Sequence, residues 1–322
     1  MNRTALSAAL VAGAVSLLAA TPAAADFRLS RQLALAPGGE IVLDVHGAVT
    51  ITGGDASGAS VLVTADSDDV EERYDFELTS ASGRVEVTSR RRGSFANRVR
   101  FRGDNLRFEV QVPRRTRVQV DTSGGAIRIS RLDGAARLRS SGGGLHATDV
   151  VGPLDAQTSG GGIDVRQVRG NVLLDTSGGG IRVAAVTGDV AAETSGGGID
   201  VADVDGDVTA STSGGGVEIS GVTGRVVAHS SGGPVSAAFA AGSGAGGSLS
   251  SSGGGVRVEV DPDARLSVDA SSSGGSVTCD LPITVRGITR RTELRGDLNG
   301  GGPSLVLRSS GGGIRIAPAA GR

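Results

Sequence analysis

The chain has 322 residues with 54 glycines, 2% aromatic residues and no tryptophan, which excludes an ordinary compact core built on Leu and Phe at this length. All 32 basic residues are arginine, set against 34 acidic ones for a formal net charge of −2, so the overall balance points to no nucleic-acid partner. A single cysteine, Cys279, excludes an intramolecular disulfide and a cysteine-based zinc site.

Residues 1–25 read as a secretory signal peptide. Arg3 supplies a minimal positive region, an apolar run extends from Ala5 to Ala20, and Pro22 breaks it before Ala23-Ala24-Ala25. Small residues at Ala23 and Ala25 place cleavage before Asp26. The rival reading is an uncleaved anchor. No later apolar stretch approaches the ~20 residues of a membrane span, and no cysteine stands at the cleavage point for lipid attachment. The mature chain is therefore expected in the periplasm, on the cell surface or secreted.

Residues 26–117 show strand alternation without a fixed metre. Ile41, Leu43 and Val45 alternate, as do Val49 and Ile51, then Val61 and Val63. Longer strands are expected around Arg84–Val87 and Phe108–Val112, and most aromatics fall here, among them Phe27, Tyr74, Phe76, Phe95, Phe101 and Phe108. This segment is expected to be an irregular β cap, because the end of a strand stack exposes unpaired edges. It also holds eleven arginines between Arg84 and Arg117.

From 118 to 281 the metre is strict. Ser-Gly-Gly recurs with serines at Ser123, Ser141, Ser159, Ser177, Ser195, Ser213 and Ser231, every interval being 18; Ser252 and Ser273 follow at intervals of 21. A short fixed period marks stacked supersecondary units. In one unit, Gly206 to Thr223, Val208, Ala210 and Thr212 alternate with polar residues, Ser213-Gly214-Gly215-Gly216 turns the chain, and Val217 and Ile219 begin a second strand. The coils before it place Val172, Leu174, Ile181, Val183 and Val186, then Val190, Ala192, Ile199, Val201 and Val204, in the same inward positions. The expected fold is all-β: a single-chain parallel β-solenoid, or β-helix, with 18-residue coils, right-handed by the usual rule for parallel crossovers. Eight or nine coils at ~4.8 Å would make a rod about 40 Å long. Hexapeptide helices are set aside because stepping by six from Val168 reaches Gly180. Calcium-binding rolls are set aside because Arg182 and Glu218 replace Asp164 and Asp200 at the ligand position. Gly242 to Gly247 reads as a flexible protrusion on one corner, and Cys279, alternating with Val277 and Leu281, as a buried inert thiol. Residues 282–322 break the metre and then add a C-terminal coil at Ser310.

These features together resemble the bacterial putative-adhesin family of β-strand-repeat proteins, a domain-of-unknown-function group. The element Val45-His46-Gly47-Ala48-Val49-Thr50-Ile51-Thr52-Gly53 resembles its opening strand, and the T-S-G-G-G-I-x-V units resemble its repeat. Glu293-Leu294-Arg295-Gly296, Gly301-Gly302-Pro303 and Leu307 to Ile316 resemble its closing motif. The resemblance implies an envelope-associated β-helix and brings no catalytic residues or cofactor with it.

The residues themselves offer little chemistry. His46, His146 and His229 are scattered without a second ligand at metal spacing. A serine recurring in every coil reads as a corner hydroxyl bonding backbone groups. A carbohydrate-active enzyme on a β-helix would use convergent carboxylates, and outward Asp164, Asp200 and Glu218 read instead as a solvated face that discourages lateral aggregation. The candidate partner site is basic: Arg90, Arg91 and Arg92 with Arg114 and Arg115, which would meet anionic groups of an envelope polysaccharide or another cell-surface component. The expected function is non-enzymatic, an exported adhesin or scaffold, against the alternatives of a polysaccharide lyase or hydrolase and of a periplasmic envelope-stress sensor component.

Overall fold

The computed structural model describes residues 27–67, 69–92, 105–287 and 290–319; the signal peptide expected at 1–25 lies outside them. No helix among the described residues is long and apolar enough to cross a membrane. The described residues form two large sheets, of 14 and 15 strands, that face each other across one continuous core. Each coil gives one strand to each sheet. Val190–Thr194 lies in the 15-stranded sheet and Ile199–Asp205 in the 14-stranded one. Both pair in parallel with the coils on either side, in strict register. Alternation puts every second side chain inside, and all ten inward residues expected from Val172 to Val204 are buried, none more than 4% exposed.

The Ser-Gly-Gly corner is held by the residue before the serine. Ser141, Ser159, Ser177 and Ser195 are exposed, whereas Thr158, Thr176, Thr194 and Thr212 are buried. Thr194 Oγ1 donates to the Gly179 carbonyl of the neighbouring coil at 2.8 Å and accepts from Gly197 N–H in its own at 3.4 Å. The same donated bond recurs from Thr122 through Ser140, Ser230 and Ser251 to Ser309 and Ser272. The expected corner hydroxyl thus exists one residue earlier, on the inward side of the strand, where its loss leaves a half-buried carbonyl without its donor. Thr194→Val is expected to lower stability by about 1–3 kcal/mol, read as a lower urea midpoint. Thr194→Ser should be near neutral, since serine does the same work at Ser140 and Ser230.

The return corner is stacked differently. Arg131, Asp149, Gln167, Ala185, Asp203 and Gly221 all have left-handed backbone, with φ between 55° and 66°. This column of kinks falls inside the longer strands and interrupts their pairing for one residue, after which it resumes from Val150 to Val168 and from Val168 to Val186. Five of its six members are not glycine, and each carries roughly 1–2 kcal/mol of local strain, held by the rungs on either side. One step on, the Asn171 side-chain oxygen accepts from Asp189 N–H at 3.2 Å, Asp189 from Asp207 N–H at 3.0 Å, and Asp207 from Arg225 N–H at 2.8 Å. A carboxylate or amide at this position therefore ties coil to coil.

The ends depart from chain order. At the N-terminal end the outermost parallel rung is Arg84–Arg91 with Arg107–Pro113, and the earlier pair Glu40–Val45 and Ala48–Gly54 lies between it and Arg117–Thr122 with Ile127–Asp133. Antiparallel strands Phe27–Leu33, Ala59–Ala65 and Tyr74–Ala81 close this end. Beneath them Phe76 packs on Phe27, Tyr74 and Phe108 at ring distances of 5.6, 6.2 and 6.3 Å. The C-terminal end repeats the device. The last coil, Ser304–Ser309 with Ile314–Pro318, inserts between Gly247–Ser251 with Val256–Val260 and Leu266–Ser272 with Val277–Cys279. Antiparallel Glu293–Leu298 then covers Leu266–Ser272. Among the described residues the parallel stack holds twelve rungs, so the rod runs about 50–55 Å rather than the 40 Å expected from the repeats alone. In a Cys279→Ser background, Ser250→Cys with Arg308→Cys should form a disulfide, because the two positions are paired neighbours. Ser250→Cys with Ser271→Cys, two rungs apart, should not; mass spectrometry after mild oxidation reads the difference.

Cys279 is half-buried rather than buried, since its rung is the last of its sheet. Burial still pushes its thiol above the ordinary value. The Gly242 to Gly247 insertion does sit on the return corner, pinned by Gly242 N–H to Asp261 at 2.8 Å and by Ser243 to the Thr223 carbonyl at 2.9 Å.

Candidate functional site

Because the coils stack in register, each outward position becomes a column running along the rod. On the 14-stranded sheet one column reads Arg128, His146, Asp164, Arg182, Asp200 and Glu218. Two of its three carboxylates are engaged. Asp164 takes a bidentate pair from Arg166 at 2.9 Å, and Asp200 lies 3.5 Å from Arg182. Carboxylates neutralised in this way are poorly placed to act as a convergent acid and base.

The 15-stranded sheet has a different outer face. Beside the return corner runs a groove of about 620 Å³ that spans the rungs from Glu40 to Thr209. Its outward floor includes Leu173 and Ala191, with Pro153 on its corner side. Arg117 and Arg137 mark one end, and Arg137 pairs with Asp155 at 3.1 Å. Asp189 and Asp207 mark the other end. The sequence reading passed over this groove. Its signal was Leu173, an aliphatic residue between inward Val172 and Leu174 where alternation calls for a polar one.

The arginines singled out from the sequence do not form one patch. Arg90, Arg91 and Arg92 lie at the far end of their strand, and Arg114 and Arg115 at the return corner, where Arg114 N–H bonds the Gly54 carbonyl. A strand length separates them, about 20 Å. Arg92 and Arg114 hold carboxylates of their own. Arg92 hydrogen-bonds Asp75 and holds that carboxyl below its ordinary value. Arg114 bonds Asp133 at 3.0 Å and Asp149 at 3.1 Å, and the bond to Asp133 leads the causes that raise its own pKa.

The histidines stay apart. His46 Nδ1 donates to the Ser89 carbonyl at 2.9 Å beneath the N-terminal cap. His146 lines a shallow trough floored by Gly144, Gly162 and Gly180. His229 lies between the hydroxyls of Ser250 and Ser231 at 2.9 and 3.3 Å. Among the described residues no group of three or more His, Cys, Asp or Glu side chains is placed to hold a metal ion.

No curated protein matches the chain. Solved structures overlap it loosely. A putative adhesin from Parabacteroides distasonis is 13% identical, with 90% of this chain and 97% of that one covered and a TM-score of 0.44. A putative adhesin from Bacteroides fragilis is 11% identical over 90% and 97%, with a TM-score of 0.38. A putative cell adhesion protein from Clostridium sporogenes is 10% identical over 91% and 100%, with a TM-score of 0.25. Overlap this loose carries nothing about function. The family match is firmer: residues 39–312 fit the Toastrack DUF4097 family, from the first inserted coil to the glycine corner of the last. The chain belongs to that family.

Proposed function

We propose that this protein is an exported, non-catalytic component of the cell envelope that works by presenting one repetitive face of its rod to a cell-surface partner, as an adhesin or scaffold. The observation that carries this reading is the groove along the 15-stranded sheet, continuous over several rungs and rigid because each rung is hydrogen-bonded on both sides. A partner met by such a face gains contacts rung by rung, while the strands beneath have no freedom to close around a substrate. The paired carboxylates of the opposite face support the non-catalytic part. Export rests on the signal-peptide pattern of residues 1–25.

The test offers the mature chain, residues 26–322, a panel of envelope polysaccharides and surface polypeptides and follows binding and turnover together. Saturable binding with the partner recovered intact is the expected result. Cleavage of any member of the panel would overturn the non-catalytic reading and favour a carbohydrate-active enzyme.

A further inference from the structure

Leu173 is 48% exposed and Val227 37%, and both stand in one outward column of the 15-stranded sheet, joined through Ala191 and Thr209 by direct pairing. Three rungs separate them, about 14 Å. Single exposed aliphatic residues need no explanation. Two in one column, bridged by a methyl and a threonine, make an apolar stripe, of which Leu173, Ala191 and Thr209 line the groove of about 620 Å³.

The stripe is walled by acid. Asp189 and Asp207 flank it on the corner side, Asp175 and Glu193 on the other, and all four are exposed. Among the described residues none of the four takes part in an ion pair, in contrast to Asp164 and Asp200 on the opposite face. The surrounding coils share this sign: residues 149–207 carry ten carboxylates and three arginines. Arg117 and Arg137 stand at the other end of the groove; its acidic end repels a polyanion, and a neutral glycan leaves the carboxylates there unneutralised. A ligand with cationic heads on an aliphatic body satisfies floor and walls together.

We infer that this groove docks an extended polypeptide segment bearing lysine or arginine alternating with aliphatic side chains, supplied by the surface partner. The inference deepens the proposed function and rests on it for the partner's location only; docking is measured in solution and does not depend on where the protein resides.

The experiment uses the mature chain and a fluorescent synthetic peptide of alternating lysine and leucine, read by anisotropy at low and high salt. Leu173→Asp removes the floor and adds a negative charge on an exposed side chain, so the fold persists, which an unchanged melting temperature verifies. Weakening of about tenfold or more is expected, the equivalent of one lost apolar contact. Asp189→Asn with Asp207→Asn retains the amide-oxygen ladder as Asn171 does; it should weaken binding and flatten its salt dependence. Equal or tighter binding by Leu173→Asp would reduce the effect to net charge and overturn the inference. So would equal binding of a lysine-acetylated peptide. Self-association of the unmodified chain that Leu173→Asp abolishes, without peptide binding, would assign the groove to a second copy instead.

Discussion

Gly197→Ala is expected to destabilise the rod by about 3 kcal/mol or more, while Gly198→Ala, one residue on, leaves it nearly unchanged. A Cβ on Gly197 would lie 2.3 Å from the Gly179 carbonyl oxygen and 2.5 Å from its carbon, backbone atoms of the next rung that cannot step aside. The clash also falls on the corner tied by the hydroxyl ladder, since Gly197 O accepts from Thr212. At Gly198 the nearest atom is 3.3 Å away, and the equivalent position already carries Ala126, Pro234 and Ser276 in other coils. The measurement is a pair of urea unfolding curves. Equal midpoints for the two variants would mean that the corners are not in contact as described.

The second large effect concerns the ends. Removing residues 300–322 should leave an insoluble or protease-sensitive protein, although in chain order this is only the final coil. Leu305, Leu307, Ile314 and Ile316 are at most 1% exposed because that coil lies between two others. At roughly 1.5–3 kcal/mol for each fully buried side chain, their loss amounts to about 6–12 kcal/mol, comparable with the whole stability of an ordinary domain. Deleting residues 190–207 provides the contrast. That internal coil is interchangeable with its neighbours, and its removal lets Val208 pair where Val190 did. A shorter, soluble, protease-resistant rod is expected. Limited proteolysis of both variants decides the matter, and a truncated protein as resistant as the full chain would contradict the inserted order.

The contrast between those deletions marks where the sequence stops being readable. Inside the array, period-two alternation and an 18-residue metre are local signals, and they identified inward residues such as Val172, Leu174 and Ile181 correctly. The order of rungs at the ends is a long-range choice. Ser252, Ser273 and Ser310 read naturally as successive coils, yet Ser310 N–H bonds the Ser251 carbonyl and Ser273 N–H the Ser309 carbonyl, so the third coil precedes the second in space. Nothing in a window of residues around Ser310 encodes that preference. The site was legible in part. Arg90 to Arg92 and Arg114-Arg115 cluster in sequence but are parted by a strand that runs from one corner to the other. Leu173 and Val227 lie far apart in sequence and share one column only because the register is exact to the residue.

The claim that the rod faces outwards from the cell is tested most directly by protease shaving of intact cells, with an epitope tag placed after Arg322 and a periplasmic protein as control. The account predicts loss of the tag while the control survives. Full protection of the tag, with cleavage only after the outer envelope is disrupted, would contradict surface presentation.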